Sequence, residues 1–252
     1  MEPQPPAVAM SGLGFRVGGA EILSGIDLIV PTGSFLGIIG PNGAGKTTLL
    51  NLVSGLLRPT SGSLVLDGHD LADVSPPGRA RLGLGRTFQT SKLFNSSSVF
   101  ENARLSAQAR LGGSGHFWSR PRPQDRASVV ARESLEQVGL GALSSRAAGS
   151  LSHGEKRKLE LAILLSSGAR VLLLDEPMAG VNTDDVPMLT TLISQLHARG
   201  RTVLMVEHHM AVVIDLAQRI AVLDSGRLLA YGEPESVIAD EAVQSAYLGQ
   251  PL

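Results

Sequence analysis

The stretch GPNGAGKTT fits the pattern GxxxxGK[ST] of a phosphate-binding loop; it consists of Gly40, Pro41, Asn42, Gly43, Ala44, Gly45, Lys46, Thr47 and Thr48. In such a loop the glycines let successive backbone N–H groups point at one centre, where a phosphate group is bound. The pattern predicts that Lys46 reaches the terminal phosphates of a nucleotide and that the Thr47 hydroxyl ligates Mg²⁺.

The residues on either side of this loop have the periodicity of a strand and of a helix. Residues 34–39 read SFLGII, a short apolar run that predicts a buried strand entering the loop. After the loop, leucine and valine residues recur at helical spacing between positions 49 and 57. The N-terminus of that helix would add its positive dipole end to the phosphate site. Strand, loop and helix in this order predict a Walker A loop.

The composition narrows the class of protein. The 252 residues carry a formal net charge of −1, which argues against a protein that binds nucleic acid mainly through phosphate contacts. Cysteine is absent, so the sequence predicts neither a disulfide framework nor a thiolate metal site. No apolar run approaches the ~18–20 residues of a membrane-spanning helix, and the first ten residues do not have the pattern of a signal peptide. We therefore expect any membrane role to come through a partner.

Three parts of the chain differ in pattern. In the first quarter, short apolar runs alternate with turn residues, which predicts an antiparallel β subdomain. In the last part, apolar strands alternate with helical patterns, which predicts α/β structure with a mostly parallel sheet. Residues 99–110 and 127–138 have helical patterns on either side of a Gly/Ser/Pro-rich stretch. The sequence predicts an ATP-binding core formed by residues 8–89 and 152–252, with an α-helical subdomain, residues 90–151, inserted into it.

Two carboxylates follow the apolar run VLLL, where a strand of the parallel sheet would end. Open α/β sheets bind their ligands at that edge. Asp175 is therefore predicted to hold Mg²⁺ through water, and Glu176 to accept a hydrogen bond from a water aligned with the γ-phosphate. A solvated acidic turn is the alternative for such a pair, and the apolar run and the phosphate loop favour the functional interpretation.

The segment LSHGE, residues 151–155, precedes a predicted helix. Ser152 as N-cap with Glu155 three residues later forms a capping box. A helix N-terminus with a serine and a glycine, here Gly154, is also an anion site, and the two interpretations coexist. This site cannot easily face the phosphate held by the loop of its own chain, so we expect it to serve the ATP of a second molecule.

Five motifs in this order resemble those of an ABC-transporter ATPase subunit: GPNGAGKT, RTFQ ending at Gln89, LSHGE, LLLDEP and VEH ending at His208. The resemblance covers residues 13–249. Within that superfamily the chain resembles the ATPases of branched-chain amino acid importers, and the larger of their two kinds. The supporting segments are KLF at 92–94, VFEN at 99–102, DEPMAGVN at 175–182 and AYLG at 246–249.

The resemblance implies a role for each matching residue. Asp175 would be the Walker B aspartate, and Glu176 would be the catalytic carboxylate. Gln89 would contact Mg²⁺ and the attacking water. His208 would be the switch histidine that contacts the γ-phosphate. A buried core histidine is the alternative for His208, but the predicted strand 202–206 delivers it beside the Walker B strand.

The resemblance also implies an assembly. Ser152 and Gly154 would bind the γ-phosphate of the ATP held by a second ATPase subunit, and residues 180–182 would form the D-loop between the two sites. We expect the second subunit to be a different paralogue, with a homodimer possible in isolation. The pair would drive two membrane permease subunits, which an extracytoplasmic substrate-binding protein supplies, from the cytoplasmic face of the inner membrane. Phe94 and Phe100 lie where a coupling groove would be, or they form the core of the helical subdomain.

The sequence departs from the family pattern at two places. Val17 occupies the position that usually holds an aromatic ring against adenine, and Phe15, two residues earlier and on the same strand face, is the available substitute. His209 replaces an aspartate beside the switch histidine. Two adjacent imidazoles predict an activity that changes between mildly acidic and neutral pH.

Three other functions fit part of the sequence. The first is an ABC ATPase of another system, such as urea or short-amide uptake or lipopolysaccharide export. The ATPase of the lipopolysaccharide exporter shares the AYLG-like ending, whereas RTFQ and the long stretch 112–123 favour the importer. An ABC protein that acts on DNA or ribosomes would carry coiled-coil arms or paired cassettes, which the sequence does not contain. A P-loop kinase for a small acceptor gives no reason for LSHGE, Gln89 or His208. The transported substrate is not encoded in the motifs.

Overall fold

The computed structural model describes residues 5–87, 93–111 and 125–246. The strands are Val8–Val17 (β1), Ala20–Val30 (β2), Phe35–Ile39 (β3), Ser61–Leu66 (β4), His69–Asp70 (β5), Leu84–Arg86 (β6), Val171–Asp175 (β7), Thr202–Val206 (β8), Arg219–Asp224 (β9) and Arg227–Gly232 (β10). The α-helices are Lys46–Ser54 (α1), Pro76–Arg81 (α2), Val99–Arg110 (α3), Arg126–Gln137 (α4), His153–Ser166 (α5), Val186–Ala198 (α6), Met210–Leu216 (α7), Pro234–Ile238 (α8) and Glu241–Ala246 (α9).

A six-stranded sheet in the order β10-β9-β3-β8-β7-β6 forms the centre of the chain. The five strands from β9 to β6 pair in parallel, and the edge strand β10 pairs antiparallel with β9. β3, β7 and β8 are buried at every residue. Along β3, Phe35 and Ile39 pack into one apolar cluster while Leu36 and Ile38 pack into another. Both faces of the sheet are therefore covered, as is usual for parallel strands.

The parallel pairing aligns the carboxyl ends of strands that are far apart in sequence. Val206 of β8 lies opposite Ile38 of β3 on one side and opposite Asp175 of β7 on the other. The phosphate loop leaves this edge after β3, and the chain also leaves it after Asp175 and after Val206. The predicted α/β class with a mostly parallel sheet is confirmed.

A second sheet, in the order β2-β1-β4-β5, is antiparallel and confirms the predicted β subdomain. The turn between β9 and β10 joins this sheet to the phosphate loop. The Ser24 N–H donates to the Gly226 carbonyl at 2.9 Å, and the Gly226 N–H donates to the Ala44 carbonyl at 3.2 Å. Gly226 has a φ of 78°, and a Cβ there would lie 3.0 Å from the Ile22 carbonyl carbon. The position therefore favours glycine on both conformational and steric grounds.

Helices α3, α4 and α5 pack on one another beside the parallel sheet. Buried apolar residues of all three helices, among them Val99, Ala131 and Leu159, belong to the same cluster as Phe35 and Ile39 of the central sheet. Ser98 caps α3 by accepting the Glu101 N–H, and Asp125 caps α4 by accepting the Ser128 N–H. The boundaries placed at residues 90 and 151 stay predictions, and the first of them falls outside the described residues.

The two aromatic residues assigned to this helical region differ in environment. Phe94 is 60% exposed. Phe100 is partly buried against the main apolar cluster, and the Arg132 guanidinium lies 5.3 Å from the centroid of its ring. Phe100 thus contributes to the core, whereas Phe94 faces outward. Across the described ranges, no helix combines the length and the apolar character needed to cross a bilayer.

Helix α1, which follows the phosphate loop, is held at its C-terminal end by a buried arginine. Gly55 adopts a left-handed conformation and ends the helix, so Leu56 lies beyond it, although its spacing predicted a longer helix. The Arg79 guanidinium donates to the carbonyls of Leu52 and Val53 at this end. Arg79 lies on α2, and its guanidinium also donates to the carbonyls of Leu71 and Val74 in the loop before α2. The cation thus satisfies helix-end carbonyls and offsets the negative end of the helix dipole.

We predict that Arg79→Met lowers stability because it leaves four inward-facing carbonyl oxygens without this donor. The expected loss is about 2–4 kcal/mol in the free energy of unfolding, or a fall in Tm of roughly 5–10 °C, measured by thermal denaturation without nucleotide. Arg81→Met is the matched control, because Arg81 lies exposed on the same helix. Equal melting temperatures for the two variants would contradict the anchoring role of Arg79.

Candidate functional site

The phosphate loop lies between β3 and α1, as predicted. Gly40 and Gly45 both have positive φ, 152° and 101°. A Cβ at Gly40 would collide with the Leu223 carbonyl, and a Cβ at Gly45 would lie 2.6 Å from the Leu23 side chain. The glycines therefore meet a steric need as well as a conformational one. They let the loop pass close to β2 and β9 while its backbone curls.

Lys46 is 6% exposed and already faces the loop. Its Nζ donates to the Gly40 carbonyl at 2.6 Å and to the Pro41 carbonyl at 3.0 Å. Burial lowers the pKa of the Lys46 ammonium, and the carboxylates of Glu176 and Asp175 act in the opposite direction. The ammonium carries three protons, so one remains for an anion that enters the loop.

Asp175 ends β7 and its side chain is 2% exposed. One carboxylate oxygen, Oδ2, accepts from Arg86 Nη2 at 2.8 Å. The other, Oδ1, is buried and has no hydrogen-bond partner among the described residues. A buried carboxylate oxygen is costly unless a cation or a donor satisfies it. The residues therefore fit Mg²⁺, which Asp175 would hold directly or through water beside the exposed Thr47 hydroxyl.

Arg86, the first residue of RTFQ, links three elements of the site. It ends β6 and pairs with Asp175 on β7, while its Nη1 donates to Asn51 Oδ1 at 2.7 Å and to Ser54 Oγ at 2.8 Å on α1. The RTFQ motif includes this arginine, but its sequence context predicted no role for it. A signal was available, since a cation at the end of a strand beside the Walker B strand needs an anionic partner.

Glu176 and His208 form a pair at the edge of the sheet. His208 Nε2 lies 2.8 Å from Glu176 Oε1. The Glu176 N–H donates to the Val206 carbonyl at 2.9 Å, which places the start of the turn after β7 against β8. Glu176 has a φ of 48°, a left-handed conformation that is uncommon for a residue other than glycine and that concentrates at functional sites. The structure thus brings the two predicted catalytic side chains together.

Glu207, between the last residue of β8 and His208, was not singled out from the sequence. It is 2% exposed. Its Oε1 accepts the Met178 N–H at 2.8 Å, and its Oε2 accepts the N–H groups of His208 at 2.8 Å and His209 at 3.1 Å. Oε2 also lies 3.0 Å from His209 Nδ1. An acidic residue directly after the apolar run VLMV, residues 203–206, was the signal that could have identified it.

Ser152 and Gly154 lie at the N-terminus of the 14-residue helix α5. Ser152 Oγ accepts the Glu155 N–H at 3.2 Å, and the Ser152 N–H donates to Glu155 Oε2 at 2.7 Å. The capping box predicted from the spacing is present. Ser152 is exposed and Gly154 is buried near Asp185. Their binding to a second subunit's ATP stays a prediction.

The residues proposed to stack on adenine lie in different environments. Phe15 packs against the core of the antiparallel sheet, whereas Val17 is 57% exposed. The pairing of β1 with β2 shifts register between Phe15 and Arg16. This irregularity interrupts the alternation that predicted a common face. Gln89 lies outside the described residues, so its position relative to Asp175 is not part of this geometry.

The comparisons with known proteins identify the family of this chain. The family model for ABC transporters matches residues 23–179. The chain belongs to the ABC transporter family. It is 36% identical over 251 residues to the high-affinity branched-chain amino acid transport ATP-binding protein BraF of Pseudomonas aeruginosa, with 97% of this chain and 98% of BraF covered.

Two further similarities place the chain within the ABC transporter family. The lipopolysaccharide export system ATP-binding protein LptB of Haemophilus influenzae is 33% identical over 230 residues, which cover 91% of this chain and 92% of LptB. The crystal structure of the ADP conformation of MJ1267, an ATP-binding cassette of an ABC transporter, matches with a TM-score of 0.87 at 27% identity, covering 97% and 99% of the two chains. The predicted family and enzyme class are confirmed: this ABC chain is an ATP-hydrolysing transporter subunit.

We predict that Lys46→Met weakens nucleotide binding without lowering the stability of the free protein. The change removes the ammonium that faces the phosphates, so the Kd for ATP with Mg²⁺ should rise roughly 10- to 100-fold, measured with a fluorescent ATP analogue. Burial lowers the pKa of Lys46, which means that folding disfavours its charged form at neutral pH. A neutral side chain of similar length removes that cost and loses two hydrogen bonds, so Tm without nucleotide should stay close to the parent value. Parent-like affinity would exclude the role of Lys46.

Proposed function

We propose that this chain powers a branched-chain amino acid importer by hydrolysing ATP at a site it shares with a second ATPase subunit. The proposed hydrolysis of ATP rests on the contact of 2.8 Å between Glu176 Oε1 and His208 Nε2. This contact lies at the edge of the sheet from which the phosphate loop also leaves. A nucleotide held by the loop would present its γ-phosphate to this pair.

The chain's own residues divide the work. Lys46 and the loop N–H groups bind the phosphates, while Asp175 and the Thr47 hydroxyl would hold Mg²⁺, which when bound would neutralise phosphate charge. Glu176 orients the attacking water and accepts a hydrogen bond from it, because its carboxylate is partly exposed beside the loop. His208 contacts the γ-phosphate. Gln89 completes the water and Mg²⁺ site in this proposal.

The second subunit completes the site through the N-terminus of α5. Three features support this role: Ser152 is exposed, it begins a long helix, and backbone N–H groups at such an end bind anions. Ser152 and Gly154 of each subunit would bind the γ-phosphate of the other subunit's ATP. Closing of the pair assembles both sites, and product release reopens them. We propose a heterodimer of two paralogues.

The similarity to BraF favours branched-chain amino acids as the substrate class. In this proposal the chain lies at the cytoplasmic face of the inner membrane, where two permease subunits hold it and a substrate-binding protein delivers the amino acid from outside. The second candidate function is lipopolysaccharide export, which the similarity to LptB favours at lower identity and coverage.

We predict that Glu176→Gln leaves ATP affinity unchanged and lowers kcat by about 100-fold or more, because an amide oxygen is a much weaker base and acceptor for the attacking water than a carboxylate. Nucleotide titration and phosphate-release assays without an added acceptor measure the two effects. Glu235→Gln, an exposed substitution on α8, is the control of equal charge change. Phosphate release at the parent rate from the Glu176 variant would overturn the assignment.

The transport role has its own test in the host cell. Deletion of the gene should abolish high-affinity uptake of radiolabelled leucine, and a plasmid-borne copy should restore it. The same plasmid carrying Glu176→Gln should fail to do so, since the motor is then inactive. Normal leucine uptake in the deletion strain, together with a defect in lipopolysaccharide at the cell surface, would favour the exporter instead.

A further inference from the structure

The two catalytic side chains are carried by separate turns. Glu176 lies in the turn after β7, and His208 lies in the segment between β8 and α7. β7 and β8 align as far as Asp175 and Val206. One further backbone hydrogen bond, from the Glu176 N–H to the Val206 carbonyl, continues this pairing. It involves neither His208 nor the side chain of Glu176, so the sheet alone does not fix the distance between the two catalytic side chains.

Glu207 connects these two turns. Its Oε1 accepts the N–H of Met178, two residues after Glu176, and its Oε2 accepts the N–H of His208 itself. The carboxylate therefore spans from the turn that carries the catalytic carboxylate to the residue that carries the imidazole. Burial strengthens these charge-assisted hydrogen bonds, because water does not compete for the oxygen atoms.

The hydrogen bonds require an ionised carboxylate and not only a polar side chain. Three backbone N–H groups point at Glu207, and each needs an acceptor. A glutamine has one acceptor oxygen and two donor hydrogens. Its oxygen can accept the N–H groups of one turn, but its NH2 group would then face the N–H groups of the other turn, donor against donor. Glutamine has nearly the same shape as glutamate, but it cannot accept hydrogen bonds from both turns.

We propose that Glu207 is a positioning residue for ATP hydrolysis, which holds Glu176 and His208 at their mutual distance by joining the backbones of their two turns. The inference rests on the catalytic roles proposed above for those two residues. In this scheme Glu207 contacts neither the γ-phosphate nor the attacking water. It acts by holding Glu176 and His208 in place.

The alternative is that Glu207 satisfies buried N–H groups and contributes only to stability. The two roles differ in their kinetic signature. A positioning residue changes kcat while substrate affinity stays constant, and its effect is coupled to that of the residue it positions. A purely structural residue lowers Tm, and its effect on rate is independent of His208.

The test compares the full chain with Glu207→Gln, His208→Ala and the double variant. Glu207→Gln should lower kcat roughly 10- to 100-fold, in line with the cost of small misplacements at a reaction centre, while the Kd for ATP with Mg²⁺ changes less than about twofold. The double variant should retain about fivefold or more activity above the product of the two single effects. His209→Ala, which removes the imidazole contact and keeps all three backbone N–H groups, should hydrolyse ATP at close to the parent rate.

Each outcome bears on the proposal. Multiplicative effects in the cycle, or a parent-like kcat for Glu207→Gln, would overturn it. If Glu207→Gln does not fold, Glu207→Asp takes its place in the same cycle, because the shorter carboxylate keeps the charge and cannot reach both turns. The proposed function fails separately: Glu176→Gln would then hydrolyse ATP at the parent rate, whatever Glu207 does.

Discussion

The parallel alignment of β3, β7 and β8 is the constraint on which the site depends. Strands in parallel register end along one edge, and here that edge receives the phosphate loop, Asp175 and the segment that holds His208. The phosphate loop is more than a hundred residues away in sequence from Asp175 and His208, and no local element could bring the three together. The apolar character of the three strands is therefore as much a requirement of catalysis as of folding, because burial on both faces fixes their register.

Close to this edge the protein buries several charges, and each of them has partners that hold it in place. Lys46 binds two loop carbonyls, Arg86 binds Asp175, and Glu207 binds backbone N–H groups of two turns. Buried charges contribute little net stability, since desolvation offsets much of the attraction. Their benefit is a site whose polar groups are oriented before the nucleotide arrives, so that little reorganisation is needed at the moment of reaction.

Sequence patterns predicted those parts of the site that depend on local chemistry. The phosphate loop, the capping box at Ser152 and the position of Asp175 at a strand end follow from spacing alone. The roles of Arg86 and Glu207 depend on contacts between strands and turns, which spacing does not encode. The end of α1 at Gly55 and the register shift after Phe15 are set by backbone geometry. The spacing of apolar residues continues beyond both points, so it predicted a helix that was too long and a strand face that was too regular.

The turn at Gly226 has a consequence for how this fold can vary. The Gly226 carbonyl and N–H group join the antiparallel sheet to the phosphate loop at Ala44. The turn of the β9–β10 hairpin therefore links the β subdomain to the nucleotide-binding core. Surface hairpins generally accept insertions, but added residues here would move the loop that holds the nucleotide. Divergence within this architecture should therefore conserve the length of that hairpin even where its outward-facing residues are free to change.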